Sequence, residues 1–139
     1  MTATRLAGCE RLIAAPVDIV WSMVSTADGL DTWMSVDAEV DLRVGGRISW
    51  THDNGWVVAG EILEVVPFSR LRFTFGWVAG GYPVPVGSSI VTMELRPMGE
   101  HTRLRVRHTG LTEEMARVHD HGWAMFLARL ADAVTGVGR

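Results

Sequence analysis

The chain has 139 residues and a formal net charge of −3, which suits one domain with a real hydrophobic core and gives no basic surface for nucleic acid or an anionic membrane. No segment approaches the roughly 20 apolar residues of a membrane span, and the first residues lack the pattern of a secretion signal. A single cysteine, Cys9, excludes an internal disulfide and agrees with a reducing compartment. We therefore expect one cytoplasmic domain over residues 1–139.

The first third of the chain predicts a strand followed by two short helices. Residues 5–14 alternate weakly and end at Ala15-Pro16. Proline is tolerated at the first position of a helix, so a helix over about Pro16 to Thr26 follows. Asp28-Gly29 should end this helix, and Leu30 to Met34 should form a second short helix or a turn.

The middle of the chain predicts strands joined by hairpins. Apolar and polar residues alternate over residues 36–43 and 47–52, and Asp53-Asn54-Gly55 is a hairpin signal. A strand over Trp56 to Val66 contains Gly60, which predicts a bulge. The segment from Gly76 to Ser88 is rich in glycine and proline, so we expect a mobile loop that could cover a pocket.

The last third predicts two more strands and then one long helix. Leu104, Val106 and His108 share the inward face of the final strand, which places an arginine row of residues 103, 105 and 107 on the outer face beside acidic partners. Thr112 should cap a helix that runs to about Val134. Strands followed by a helix on one face of the sheet make an α+β fold.

Several segments, each in the expected order, together resemble the START-like, or SRPBCC, superfamily, within it the branch named after activator homologues of the heat-shock protein 90 ATPase. They are ERLIAAPVDIVW, LDTWM, DLRVGGRI, GEILEVVPFSRLRFTF, TMELRP, TRLRVRHTGL and HGWAMFLARL. The resemblance implies the helix-grip fold, in which a seven-stranded curved antiparallel sheet surrounds a long C-terminal helix and two short helices follow the first strand. It also implies a cavity between sheet and helix.

Aromatic side chains on the inward faces are the main candidates for ligand binding, because they would offer stacking surfaces to a ring. The alternative is a core that these same rings fill. The candidate ligand-binding residues are Trp33, Trp50, His52, Phe73, Phe75, Trp77, Met93, His108, His119, Trp123 and Phe126.

His108 and Glu61 are the candidates for chemistry. An inward His108 could bond a ligand or act as a general acid or base, and the alternative is a core histidine bonded to the backbone. The periodicity around Glu61 is ambiguous, so its carboxylate could join a histidine in the pocket or lie in solvent.

The spacing of the histidines and of the cysteine does not indicate a metal or cofactor site. His119 and His121 are two apart on a helix and point in different directions, and no H-E-x-x-H or paired-cysteine motif occurs. We expect no metal and no cofactor.

The inward aromatic residues, together with what the resemblance implies, favour a protein that encloses a small apolar molecule, aromatic or polyketide-like, as a monomer or a homodimer. Three alternatives stay open: a cyclase or dehydratase of polyketide-like substrates, an antibiotic-sequestering resistance protein, and a protein-interaction module resembling a chaperone activator.

Overall fold

The computed structural model describes residues 4–135 and contains one antiparallel sheet of seven strands in the order β1-β7-β6-β5-β4-β3-β2. Consecutive strands from β2 to β7 pair as hairpins, and β1 closes the sheet beside β7. This arrangement confirms the α+β helix-grip fold expected from the sequence. The elements are β1 (Thr4–Ile13), α1 (Val17–Ser25), α2 (Ala27–Leu30), β2 (Asp37–Val40), β3 (Arg47–Thr51), β4 (Val57–Val66), β5 (Arg70–Ala79), β6 (Ser89–Met98), β7 (His101–Thr112) and α3 (Glu113–Thr135).

Helix α3 packs its apolar face across the inner side of the sheet, mainly against β1 and β7. Its start is capped as expected, because the Met115 amide donates to Thr112 Oγ1 at 3.2 Å. Farther along, Asp120 Oδ1 accepts a hydrogen bond from the Gly8 amide of β1 at 2.8 Å. The helix is thus tied to the edge strand by a polar contact as well as by apolar packing.

The second short helix lies earlier than the sequence predicts. It spans Ala27–Leu30 and contains Asp28-Gly29, which we expected to end α1, while residues 31–34 form a turn, the alternative expected there. Two contacts explain the difference: Thr26 Oγ1 accepts from the Gly29 amide at 2.9 Å, and a Cβ on Gly29 would lie 2.1 Å from the Ser22 carbonyl oxygen. Gly29 is therefore a point of close helix packing rather than a helix end.

Strand β5 continues beyond the expected start of the glycine-rich loop. It runs to Ala79, and Trp77 N donates to the Val84 carbonyl at 2.9 Å across the returning chain. Gly76 belongs to the strand because the returning chain passes over it: a Cβ there would lie 2.3 Å from Val86 Cα. The irregular segment is therefore shorter than predicted, at residues 80–88.

The bulge that we expected at Gly60 occurs at other positions of β4, on both sides of this glycine. Gly60 stays in register opposite Ile48, and the irregularities in β4 fall between Val57 and Val58 and between Ile62 and Glu64. A Cβ on Gly60 would lie 1.7 Å from the Thr74 carbonyl oxygen. The glycine permits close approach of the backbones, while its neighbours bend the strand.

The arginine row lies on the outer side of β7, as expected. Arg107 forms an ion pair with Glu94 of β6 at 2.8 Å, and Glu94 also lies 3.9 Å from Arg70. Among the residues described, no helix combines the length and apolar character that crossing a membrane requires.

Candidate functional site

A cavity of about 680 Å³ lies between α3, the inner faces of β3 and β5, and the chain that follows α2. Tryptophan, phenylalanine and tyrosine rings form much of its wall, together with three histidines. The candidate ligand-binding residues that line it are Trp33, Trp50, His52, Phe75, Trp77, His119, Trp123 and Phe126.

Three of the candidates lie behind this wall instead of on it. Phe73 and Met93 are each 1% exposed and belong to the core, and His108 is fully buried. Phe73 packs edge-on against Trp50, with ring centroids 5.9 Å apart. These three residues support the cavity wall but do not line the cavity. The sequence could not show this, because alternation along a strand predicts which face a side chain lies on but not how deeply it is buried.

His108 is held by two side chains, not by the backbone as the alternative interpretation expected. Trp123 Nε1 donates to His108 Nδ1 at 3.2 Å. An indole nitrogen can only donate, so Nδ1 must carry a lone pair and the proton is on Nε2. That N–H donates to Ser89 Oγ at 2.9 Å, and Ser89 in turn donates to the Phe75 carbonyl at 2.7 Å.

The surroundings of His108 keep its ring neutral. Burial, and to a smaller extent charge repulsion from the neighbouring His119, lower the pKa of His108 to about 3. The rings of His108 and His119 are 5.2 Å apart and nearly perpendicular.

His119 repeats the same arrangement on the cavity wall. Trp77 Nε1 donates to His119 Nε2 at 3.2 Å, so the ring proton lies on Nδ1 and is donated to the Met115 carbonyl at 2.7 Å. Burial lowers the pKa of His119, although the bond to Met115 and the charge of Asp120 oppose this shift.

His52 forms a third pair of this kind. Trp50 Nε1 donates to His52 Nε2 at 3.1 Å, from the end of β3 to the residue that directly follows this strand. The His52 ring stacks on Trp77 at 5.4 Å and lies 5.3 Å from Phe126. Burial lowers the pKa of His52, and the nearby Asp53 carboxylate opposes this shift.

The three indole–imidazole pairs have one chemical consequence. Each histidine uses its only lone pair to accept an indole N–H, so none of these rings can take a proton without losing that hydrogen bond. The arrangement can bind and orient a ligand, but these three histidines are not poised as general bases.

Sequence reasoning missed Tyr82, whose ring lies at the cavity on the loop that follows β5. Its centroid is 5.6 Å from that of Trp56 and 5.7 Å from that of Trp77. Gly80 and Gly81 have positive φ, and a Cβ on either would lie within 2.3 Å of one of these indole rings. The double glycine that predicted a loop over the pocket is the signal that could have pointed to Tyr82 and Trp56.

The cavity mouth, formed by Asp31, Asp53, Arg129 and Asp132, was also missed. All four side chains are exposed and line the cavity. The Arg129 guanidinium lies 5.1 Å from the centre of the Phe126 ring. Charged residues on exposed helix and loop positions carry no sequence signal that separates them from ordinary surface.

Glu61 does not join the cavity. Its side chain is exposed and borders a separate depression beside Gly45, Gly46 and Arg47. The acid–base pair of an inward glutamate with a histidine is therefore absent at this position. No cluster of His, Cys, Asp or Glu suited to a metal ion occurs within residues 4–135.

Comparison with known proteins shows that the sequence matches one family. The family model described as activator of Hsp90 ATPase homolog 1-like protein matches residues 14–135. No curated protein matches the chain.

Solved structures with the same fold include proteins from several bacteria. Protein MLL2253 from Mesorhizobium loti is 25% identical, with 97% of this chain and 100% of that chain covered and a TM-score of 0.81. CalU16 from Micromonospora echinospora is 27% identical, with coverages of 96% and 86% and a TM-score of 0.73. The Aha1 dimer from Colwellia psychrerythraea is 22% identical, with coverages of 97% and 99% and a TM-score of 0.79.

Proposed function

Because the chain belongs to the family of activator of Hsp90 ATPase homolog 1-like proteins, we propose that it is a small-molecule binding protein whose cavity encloses an apolar ligand, aromatic or polyketide-like in character. The observation that carries this proposal is the cavity of about 680 Å³ walled by aromatic rings. Pockets for small molecules commonly measure about 300–1,000 Å³ and are mostly apolar with a few polar groups.

Binding is favoured over catalysis by the state of the histidines. A cyclase or dehydratase of polyketide-like substrates needs a group that gives or takes a proton at the substrate. His108 is fully buried behind the wall, and both ring nitrogens of His119 are already bonded within the protein. Sequestration of an antibiotic is a form of binding and fits the same cavity.

A role as a protein-interaction module has weaker support. The outer face of the sheet carries ion pairs between neighbouring strands, such as Arg107 with Glu94. Charges that are already paired within the protein are less available to bind a partner protein, whereas the aromatic side chains of the cavity are available to stack on a ligand ring. We propose a cytoplasmic protein that is a monomer or a homodimer. The homodimer is supported by the Aha1 dimer from Colwellia psychrerythraea, which has the same fold.

We expect the apolar fluorophore N-phenyl-1-naphthylamine to bind in a saturable, equimolar manner. The ring would lie against Trp50, Trp77 and Trp123, which line the cavity. Tryptophan emission should therefore fall, and probe emission should rise as the probe leaves water. Titration followed at both emission bands measures this result.

Gly122→Phe is the variant that tests the place of binding. Gly122 lines the cavity and a Cβ there meets no atom within 4 Å, so a phenyl ring can enter the cavity without disturbing the helix. Ala124→Phe adds the same ring at an exposed position of α3 that does not line the cavity. Binding should be lost in the first variant and kept in the second; equal binding in both would place the probe elsewhere, and native mass spectrometry of purified protein would identify a natural ligand.

A further inference from the structure

Most indole N–H groups of the cavity are used inside the protein. Trp33 Nε1 donates to the Met23 carbonyl at 2.9 Å, and the indoles of Trp50, Trp77 and Trp123 donate to histidines. These four tryptophans therefore present ring faces and edges to a ligand but no free donor. A wall of this kind favours a flat ring system over a polar chain.

The three histidines differ in what they leave for a ligand. Both ring nitrogens of His108 and of His119 have partners within the protein. His52 accepts from Trp50 through Nε2, which puts its proton on Nδ1. In residues 4–135 no group of the protein accepts that proton, and His52 lines the cavity.

The charges around His52 decide the charge of the ligand. The charged residues that line the cavity mouth are three carboxylates and one guanidinium: Asp31, Asp53, Asp132 and Arg129. Two of these groups, Asp53 and Arg129, act on the His52 ring in opposite directions. The surplus of negative charge disfavours an anion, and a protonated ammonium group has no lone pair that could accept from the His52 N–H, so the acceptor at His52 is an uncharged oxygen.

We propose that His52 Nδ1–H is the polar anchor of the cavity, and that the ligand is an uncharged planar aromatic molecule with an acceptor oxygen, such as an aromatic ketone or a quinone. This inference rests on the proposed binding function and names its ligand class. The rings of Trp77 and Phe126, which pack on His52, would hold the aromatic plane. Trp50 is a positioning residue, because its indole fixes the tautomer that donates.

Three probes of similar shape test the anchor: 2-acetonaphthone, 2-ethylnaphthalene and 2-naphthoate. The ketone should bind about 2- to 12-fold more tightly than the hydrocarbon, which is the net effect of one neutral hydrogen bond. The carboxylate should bind more weakly than the ketone. Tryptophan quenching measures all three dissociation constants.

Two variants separate His52 from Trp56, whose indole also lines the cavity. His52→Phe should abolish the preference for the ketone while binding of the hydrocarbon persists. Trp56→Phe should keep the preference, because it removes the cavity indole that has no partner within the described chain. In the wild-type protein, the ketone but not the hydrocarbon should shift the nuclear magnetic resonance signal of the His52 ring N–H, which gives a readout that does not depend on how well His52→Phe folds.

The outcomes distinguish the two proposals. Binding of all three probes with equal affinity would overturn the anchor and leave the binding function standing. A preference that survives His52→Phe, or that disappears in Trp56→Phe alone, would also overturn the anchor. Failure of every probe to bind would overturn the binding function and the anchor with it.

Discussion

Replacing Trp123 with alanine is expected to lower the free energy of unfolding by about 3–5 kcal/mol, the usual cost of removing a large buried ring. Trp123 is 4% exposed and belongs to the core cluster that joins α3 to the sheet. The change also leaves His108 Nδ1 without its donor in a buried place, which adds to the loss. Urea unfolding followed by circular dichroism measures the effect.

Two further variants show which part of Trp123 matters. Trp123→Phe keeps most of the ring volume but removes the N–H, so it should cost about 1–3 kcal/mol. Met125→Ala, at a side chain 49% exposed on the same helix, should change stability by less than about 0.5 kcal/mol. A loss below about 1 kcal/mol for Trp123→Ala would mean that the helix is not held to the sheet as the structure shows.

Acidification should destabilise the fold through His108. The pKa of His108 is about 3 in the folded protein against 6.5 as the ordinary value. Between pH 6.5 and pH 3 the His108 side chain is therefore protonated in the unfolded chain but neutral in the folded protein. The free energy of unfolding consequently falls as the pH drops below 6.5. Each pH unit costs about 1.4 kcal/mol, so about 2–3 kcal/mol is lost between pH 7.5 and 4.5 from this residue. Below pH 3 the contribution no longer changes.

The comparison that isolates His108 is His108→Gln, measured by urea unfolding at both pH values. The amide can still accept from Trp123 and donate to Ser89, but it does not titrate, so the loss on acidification should shrink by about 2–3 kcal/mol. Ser89→Ala removes the partner of Nε2 and keeps the imidazole. It should lower stability at both pH values and preserve a drop with acid; a full wild-type drop in His108→Gln would contradict a neutral, buried ring.

Much of the candidate site follows from the periodicity of single elements. Alternation in β5 places Phe73, Phe75 and Trp77 on one face, and the structure keeps all three on the inner side. The same alternation cannot say how far along the sheet the cavity begins, and Phe73 proves to be core while its neighbours line the cavity. Depth depends on where α3 crosses the strands, which is a tertiary property.

In strand β4 the sequence pattern could not even predict which face each side chain lies on. Its apolar residues occur on both faces, so the position of Glu61 could not be assigned from the pattern. Glu61 pairs with the exposed Arg47 in an unbroken register between β3 and β4, and the structure places it outside. The irregularity that interrupts the period of two comes only after it, between Ile62 and Glu64, and pairing with a neighbouring strand is what assigns the face.

The sequence by itself determined the family, the order of the elements and the inward face of the strands that alternate regularly, because these depend on local spacing and turn residues. Only the tertiary structure decided which indole donates to which histidine. Trp50 and His52 are only two positions apart, but Trp77 and His119 are 42 positions apart and His108 and Trp123 are 15 apart. The hydrogen bonds of His108 and His119 form only when β5, β7 and α3 meet around the cavity, and of the three indole-paired histidines they leave His52 as the one whose N–H has no partner within residues 4–135.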